Sequence, residues 1–476
     1  MSAGNRTEKD AFGEVTLEAQ CLYGINTARG MANFALSGRL LRDEHAFVCA
    51  LAQVKKAAAL ANREIGLLPT DIAAAIASAC DEIIAGRHHE FFVIDLMEGS
   101  GGTSINMNAN EVVANRALQL LGAAPGSYRQ LHPNDHVNLG QSTNDVVPTA
   151  LKLAVHEETQ PLKAALDGLA AAFAAKAEDF RDVLRLGRTC LQDAQPMTLG
   201  QAFGGYAAAT ARAGAALATA ADGLLTVPLG GTAIGTGLGA GPGYRAAVLS
   251  HLGVVTGRPV TGAGDLFDGM QNADQFARVS AELRTVADLT GKIASDLILL
   301  SSGPVGGLGE IRLPVVQAGS SIMPGKVNPV MPVAMQQIAF AVSGSDLAVS
   351  MAALGGQLEI NHFEPIMASR LFDSLRLLTN GTRLFTERCV EGIRADHERS
   401  LDTLLRSSAL ATVFVPQLGY EATAMLVRRS LVEGRVFTAL AVEGGLLRDA
   451  DIVPSLRSSV GEPIRTDEVG DHGPTY

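Results

Sequence analysis

The sequence has little of what holds a small extracellular protein together. It contains no Trp and only five cysteines in 476 residues. None of the cysteines forms a CxxC pair, so neither a disulfide framework nor a zinc ribbon is expected, and the thiols are predicted to be reduced. The cysteines are Cys21, Cys49, Cys80, Cys190 and Cys389.

Charge is also sparse, at 18% of the residues, and it is mostly of one sign. The chain has 38 Lys and Arg residues against 49 Asp and Glu residues, which gives a net charge of −11. An acidic balance argues against a general nucleic-acid-binding surface and against an anionic-membrane surface. We therefore expect neither nucleic acid nor a membrane as a partner.

Hydrophobic targeting segments are scarce. The residues from Met1 to Asp10 are polar and mixed in charge, which predicts a cytoplasmic protein without a signal peptide. The segment from Ala213 to Ala240 has one charge, Asp222, but Pro228 and several glycines interrupt it. A membrane-spanning helix would expose that backbone to lipid, so the pattern indicates a helix that runs into a Gly-rich loop.

Apolar residues at helical spacing dominate what remains, and they predict an all-α fold with a central bundle of long helices. Because the chain is too long for one ordinary core, we expect several domains. The bounds of the long helices predict an N-terminal domain of residues 1–143, a central bundle of residues 144–398 and a C-terminal domain of residues 399–476. The predicted helices are Ala46–Ile65, Ile72–Ala85, Asn110–Leu121, Ala150–Glu178, Leu199–Leu225, Gln271–Ser301 and Pro332–Leu354.

Four short segments rich in Gly and in hydroxyl or amide side chains interrupt the helical pattern. They are Gly99–Asn106, Gly140–Asp145, Gly187–Asp193 and Gly319–Pro329. Such residues ahead of a helix serve as caps, and the free N–H groups there attract anions. Each segment alone is equally consistent with ordinary capping. Four of them in one apolar helical chain predict a site for a small carboxylate substrate.

The segment Gly319–Pro329 has two serines between Gly319 and Gly325, and Lys326 directly follows the second glycine. The two glycines permit a mobile flap. Asn328 followed by Pro329 predicts an N-cap and a first helical residue. A serine near a helix N-terminus and a lysine would have its alkoxide form favoured, so it could act as a general base. An ordinary flexible loop with a solvated lysine explains the same residues, and the residues alone leave both interpretations open.

The amino-acid sequence of this segment, GSSIMPGKVNP, resembles the signature loop of the aspartase/fumarase superfamily. The resemblance extends over nearly the whole chain, and the motifs are most similar to those of the aspartate ammonia-lyases. It implies an all-α fold of three domains, homotetramers around long central helices, active sites shared by three subunits, and no metal or organic cofactor. The other matching motifs are Tyr23–Thr27, Gly101–Glu111, Asn138–Asp145, Pro228–Gly235 and Gly356–Asn361.

The resemblance also implies residue roles in an elimination from a succinyl substrate. Ser320 matches the base that removes a proton from C3, and Lys326 and Asn328 match catalytic groups that hold the substrate carboxylate and its aci-carboxylate form. The implied substrate-binding residues are Thr103, Ser104, Asn106, Ser142, Thr143, Asn144, Thr189, Cys190, Gln192 and Ser321. Among these, Thr103, Ser142 and Thr143 match a hydroxyl clamp.

Two positions depart from the family pattern. Cys190 replaces a His, and Val333 replaces the Glu that pairs with that His. In the family this pair helps to bind substrate and, in hydratases, to deliver a proton to a poor leaving group. Nitrite leaves as a weakly basic anion and needs no such proton. Some superfamily members eliminate nitrous acid from nitrosuccinate to supply nitrite for natural products, and the missing pair favours nitrosuccinate as the substrate.

Two alternatives remain at this point. One is ammonia elimination from aspartate with the binding rearranged around Cys190. The other is a helical scaffold that has lost catalysis, against which the intact Ser320, Lys326 and Asn328 argue. Cys190 itself is expected to be a small buried filler rather than a nucleophile, because an apolar setting raises the pKa of a thiol.

Overall fold

The computed structural model describes residues 4–461. Within that range most of the chain is α-helical, and the longest helix, α5, has 37 residues. The α-helices, α1 to α16 in chain order, are Ile25–Asn33, His45–Glu64, Thr70–Ile84, Thr103–Leu120, Thr143–Asp179, Leu199–Asp222, Tyr244–Thr256, Leu266–Gln271, Asp274–Leu300, Val330–Leu354, Glu364–Arg388, His397–Arg406, Val415–Leu418, Tyr420–Glu433, Phe437–Glu443 and Asp449–Ser459. The expectation of an all-α fold is confirmed.

Short strands pair only in two-stranded sheets within residues 4–461. Strands β1 with β2, β3 with β4, and β7 with β8 are antiparallel, whereas β5 and β6 form a parallel pair of two residues each. The strands, β1 to β8 in chain order, are Asn5–Asp10, Gly13–Glu18, Leu184–Thr189, Gln192–Thr198, Thr226–Val227, Thr261–Gly262, Ile311–Arg312 and Arg394–Ala395.

Most predicted helices lie within a few residues of the observed ones, but two starts were placed wrongly. Helix α4 begins at Thr103 instead of near Asn110. It begins early because Gly102, at φ +86°, turns the chain directly into the helix. Helix α5 begins at Thr143 instead of at Ala150, so Pro148 lies inside the helix.

Other elements were missed by the sequence analysis. The segment Gly187–Asp193 was expected to be a loop ahead of a helix, and it is instead the end of the β3–β4 hairpin. Helices α1, α7, α8 and α11 and those after residue 396 were also not predicted. Residues 462–476, the end of the predicted C-terminal domain, lie outside the described part of the chain.

The described chain divides into two compact units, each assembled from separate segments. The first unit contains residues 4–164, Ala213–Ala287 and Ile338–Asn380, and the second contains Ala165–Arg212, Asp288–Gln337 and residues 381–461. The prediction of three consecutive domains concerns a different kind of division and stays a prediction.

Contacts between long helices occur within each unit. In the first unit, Lys152 of α5 donates a hydrogen bond to Gln275 Oε1 of α9 at 2.5 Å, and Ser280 of α9 donates to Asp346 of α10 at 2.7 Å. In the second unit, the rings of Phe173 on α5 and Phe203 on α6 pack with their centroids 6.1 Å apart. These neighbours agree with the predicted bundle of long helices.

The C-terminal helices have a core of their own in the second unit. Phe414, Phe437 and Leu456 are buried together with Leu184 and Leu186 of strand β3. Alternate residues of β3 therefore face this core, which anchors the hairpin whose tip carries Thr189.

A buried carboxylate anchors the N-terminal helix α1. Glu111 Oε2 accepts hydrogen bonds from Gly24 N at 2.8 Å, Thr27 N at 3.1 Å and Thr27 Oγ1 at 2.6 Å. Its Oε1 accepts from the backbone and side-chain nitrogens of Asn26, at 2.9 and 3.0 Å. Burial raises the pKa of Glu111, and the donors from Thr27, Asn26 and Gly24 oppose that rise. The carboxylate thus satisfies N–H groups that the first turn of a helix leaves free.

We predict that Glu111→Gln lowers the free energy of unfolding by about 2 to 4 kcal/mol, because an amide nitrogen then faces backbone N–H groups that have lost their acceptor. Urea denaturation followed by circular dichroism measures the change. Glu387→Gln is the matched control, since Glu387 is exposed, and surface changes usually stay within about 0.5 kcal/mol. Equal midpoints for the two variants would contradict the anchoring role.

Candidate functional site

The residues predicted to form the site fall into two groups, one in each unit. The first group lies on the loops before α4 and α5 and on the first turns of these helices. The second group lies at the tip of the β3–β4 hairpin and on the loop before α10. The first group is Thr103, Ser104, Asn106, Ser142, Thr143 and Asn144; the second is Thr189, Cys190, Gln192, Ser320, Ser321, Lys326 and Asn328.

The loop before α10 is closed at its base by two hydrogen bonds. Gly319 N donates to Lys326 O at 2.9 Å, and Asn328 Nδ2 donates to Gly319 O at 2.6 Å. A Cβ at position 319 would lie 2.4 Å from Lys326 O, so only glycine fits there. Asn328 was predicted to be a helix N-cap, and this was wrong: α10 begins at Val330, and the Asn328 side chain closes the loop instead.

Ser320 is half-buried at the start of this loop, and its hydroxyl oxygen faces backbone donors. Ile322 N and Met323 N donate to Ser320 Oγ at 3.2 and 3.0 Å. Two N–H groups aimed at one oxygen favour its ionised form over its neutral form. Lys326 and Ser321 are exposed on the same loop. The local geometry suits a serine that acts as a base.

The loop before α4 presents Thr103 and Ser104 at the helix N-terminus. Glu98 is buried and accepts hydrogen bonds from Gly102 N and from both the backbone and the hydroxyl of Ser100. Ser100 Oγ in turn accepts from Ser104 N at 2.8 Å. Thr103 is exposed in the first turn of α4, so its hydroxyl is accessible to a ligand.

The loop before α5 is held by another buried carboxylate. Asp145 accepts hydrogen bonds from Ser142 N at 2.9 Å and from Gly230 N and Thr232 N, both at 3.0 Å. Burial raises the pKa of Asp145 to about 6, against the effect of these donors. Asn144 Nδ2 donates to Ala233 O at 2.8 Å. The hydroxyl-bearing turn is therefore tied to the Gly-rich segment that follows β5.

A buried lysine of α2, which the sequence analysis missed, joins the loops before α4 and α5. Lys55 Nζ donates to Asn106 Oδ1 at 2.7 Å, Asn138 Oδ1 at 2.9 Å and Gln141 Oε1 at 3.0 Å. Burial lowers the pKa of Lys55 to about 7, and the Asp145 carboxylate opposes that shift. One sequence signal was available, because Lys55 lies on the apolar face of a helix, where a lysine is rare.

The tip of the β3–β4 hairpin places Thr189 opposite Gln192. The two residues between them, Cys190 and Leu191, both adopt left-handed conformations, at φ +52° and +61°. Such a two-residue turn usually contains Gly or Asn, so these side chains are held in a strained backbone. Cys190 is exposed at this tip, and the expectation of a buried filler was therefore wrong.

Buried ion pairs fix the base of the hairpin. Arg185 Nε lies 2.7 Å from Glu310 Oε2, and Arg188 Nη1 lies 2.6 Å from Glu310 Oε1. The side chain of Glu310 is fully buried. Since Arg188 directly precedes Thr189, the paired charges set the position of the hairpin tip.

Each unit presents donors that suit a carboxylate. The first unit presents the hydroxyls of Thr103, Ser142 and Thr143, and the second presents the exposed ammonium of Lys326. Across residues 4–461, His, Cys, Asp and Glu side chains do not gather in groups of three or more that could hold a metal ion.

Comparisons with known proteins show the family of the chain. A family model described as lyase matches residues 13–344. Aspartate ammonia-lyase of Pseudomonas canavaninivorans is 48% identical over 457 residues, which cover 96% of each chain. Aspartate ammonia-lyase of Bacillus subtilis is 43% identical over 447 residues, which cover 94% of each chain.

Solved structures share the whole fold. A crystal structure of fumarate lyase:delta crystallin from Brucella melitensis bound to cobalt has a TM-score of 0.94 and 44% identity, and it covers 96% of this chain and 100% of that chain. Recombinant class II fumarase from Schistosoma mansoni has a TM-score of 0.90 and 32% identity, with 96% and 99% covered. The chain is therefore a lyase and belongs to the aspartase/fumarase superfamily.

Proposed function

We propose that the protein removes a C3 proton and a C2 substituent from a substituted succinate to give fumarate, and that aspartate is its substrate. The relatives at 43–48% identity are named aspartate ammonia-lyases. They support the cleavage of a C–N bond with loss of ammonia more strongly than they support nitrosuccinate, which the sequence analysis favoured. The intact Ser320, Lys326 and Asn328 argue against an inactive scaffold.

The observation that carries this proposal is the pair of backbone N–H groups that donate to Ser320 Oγ. A serine alkoxide stabilised in this way takes the C3 proton, and the charge moves into the adjacent carboxylate. The resemblance to the superfamily assigns the hydroxyls of Ser142 and Thr143 and the ammonium of Lys326 to that aci-carboxylate, in active sites that several subunits share. Its collapse forms the C2–C3 double bond, and the C2–N bond breaks to release ammonia.

Nitrosuccinate is the second candidate, and the Cys190 and Val333 positions favour it. Neither side chain carries the imidazole or carboxylate that the family uses near the leaving group. Nitrite departs as a stable anion and needs no proton from the enzyme, whereas ammonia departs readily only if the amine is already protonated. An aspartate whose amine enters as ammonium meets that requirement without the pair.

Self-association as a homotetramer in the cytoplasm belongs to the same proposal. Helix α10 has the length and the apolar composition of a helix that could cross a membrane. Its residues Phe340, Leu347 and Leu354 recur every seven positions and are 73%, 63% and 85% exposed in the single chain. A seven-residue apolar repeat is the pattern by which helices of separate chains pack together. A second copy of this chain is the occupant that fits the stripe.

The tetramer predicts a mass in solution of about four times 49.5 kDa, which light scattering after size-exclusion chromatography measures. Phe340→Glu is expected to dissociate the tetramer into smaller oligomers or monomers. A monomer of full activity would contradict the proposal.

The substrate proposal predicts that the purified protein forms fumarate and ammonia from aspartate. Absorbance follows fumarate, and separate colorimetric assays follow ammonia and nitrite. If fumarate and nitrite form from nitrosuccinate while aspartate stays unchanged, the second candidate replaces the first. A protein that forms fumarate from neither substrate would overturn both.

Ser320→Ala is expected to lower kcat by a factor of about 10³ or more with the fold intact, because it removes the base. Ser250→Ala is the matched control, since Ser250 is an exposed serine of helix α7 outside both groups of predicted site residues, and it should retain most of the activity. Circular dichroism of both variants checks the fold. Similar rates for the two variants would show that Ser320 is not the base.

A further inference from the structure

The ammonium of Lys55 occupies an unusual position behind the predicted hydroxyl clamp. The whole residue is inaccessible to solvent (0% exposed). Its three hydrogen bonds go to the side-chain oxygens of Asn106, Asn138 and Gln141, at 2.7, 2.9 and 3.0 Å. Three donated bonds use every N–H of an ammonium. Because burying a cation is costly, an ammonium in this place needs a reason beyond packing.

The direction of these hydrogen bonds has consequences for the amides. An ammonium only donates, so the oxygen of each amide faces Lys55 and the nitrogen faces away. Asn106 Nδ2 then donates to Thr143 Oγ1 at 3.2 Å and to Asn138 Oδ1 at 3.2 Å. Asn138 Nδ2 in turn donates to Gln141 O at 3.3 Å. The orientation of the whole group is set by one cation.

The Thr143 hydroxyl is the last group in this series of hydrogen bonds. Because its oxygen accepts from Asn106 Nδ2, its own proton is left to donate elsewhere. A carboxylate is an acceptor only, so a hydroxyl prepared to donate matches it. With the Asn106 amide reversed, the Thr143 proton would instead be drawn towards an amide oxygen.

We propose that Lys55 is a positioning residue of the elimination, which acts through Asn106 to fix the Thr143 hydroxyl as a donor to the substrate carboxylate. The inference rests on the proposed function, in which Thr143 holds the carboxylate that gains charge as the C3 proton leaves. Lys55 itself does not touch the substrate. Its charge also lies behind the carboxylate site, where it favours the same developing negative charge.

Two substitutions break the series of hydrogen bonds from Lys55 through Asn106 to Thr143 at different points. Lys55→Met keeps the length of the side chain and removes the donors. Asn106→Asp keeps an oxygen towards Lys55 and replaces the donating nitrogen with an acceptor, so Thr143 then donates to the new carboxylate. Both variants are expected to lower kcat/KM by about tenfold to hundredfold, the size of one hydrogen bond to a charged group.

The matched control is Lys56→Met. Lys56 is the next residue of α2, and its ammonium pairs with the carboxylate of Asp81 on the surface. It should retain the kcat and KM of the unchanged protein. Circular dichroism and urea midpoints of all variants report the fold. If both Lys55→Met and Asn106→Asp fail to fold, Lys55 is a structural residue and the proposal is overturned.

A double-mutant cycle with Thr143→Val separates positioning from general damage. On the Thr143→Val background, Lys55→Met and Asn106→Asp should each lower kcat/KM less than about twofold further, because the hydroxyl that they prepare is gone. Each single variant should also divide its loss between kcat and KM as Thr143→Val does. Full additivity, or unchanged activity of Lys55→Met, would overturn the proposal.

Binding of succinate, a dicarboxylate that cannot undergo elimination, gives a readout independent of turnover. Calorimetry with the same variants should show weaker succinate binding for Lys55→Met and Thr143→Val and no further loss in the double variant. If the protein turns over neither substrate and this cycle still holds, the substrate proposal fails and the role of Lys55 stands. If turnover is normal and the cycle is additive, the role of Lys55 alone fails.

Discussion

Buried carboxylates that accept backbone N–H groups hold together the loops of the first unit. Glu111 binds the start of α1, Asp145 binds the turn before α5, and Glu98 binds the loop before α4. Asp95 does the same for residues 36–38. The helices are apolar and pack by burial, but the loops between them expose free N–H groups that cannot be left unpaired inside the protein. One carboxylate satisfies several of these groups at once, and each loop is thereby fixed.

The same buried carboxylates help to explain how an acidic protein can bind a dianion. In the first unit, Glu98 and Asp145 beside the predicted hydroxyl clamp are buried and accept hydrogen bonds from backbone N–H groups. The exposed groups on the loops include the Thr103 hydroxyl in the first unit and the Lys326 ammonium in the second. The net charge of −11 describes the surface as a whole, whereas local donors decide the binding of a small ligand.

The tip of the β3–β4 hairpin has a strained backbone, and it also carries the unusual residue Cys190. Cys190 and Leu191 are held at positive φ between two strands whose base is tied by Arg185, Arg188 and Glu310. Rigid support of a strained turn is typical of a functional position. Cys190 stands where the resemblance to the superfamily predicts a histidine, and a thiol differs from an imidazole in its acid–base chemistry.

The sequence by itself determined the fold class and the family, and it predicted the loops of the candidate site. Ser320 and Lys326 were predicted as site residues because they lie six residues apart in one distinctive segment. The hairpin at Gly187–Asp193 was missed, since its residues alternate too weakly to predict strands. The start of α4 was missed because a glycine turn and a side-chain acceptor set it. Only the tertiary structure brought Lys55 to Asn106, 51 positions away, and Asp145 to Gly230, 85 positions away. The direction of a hydrogen bond depends on which atoms meet in space, and neither composition nor spacing along the chain specifies that.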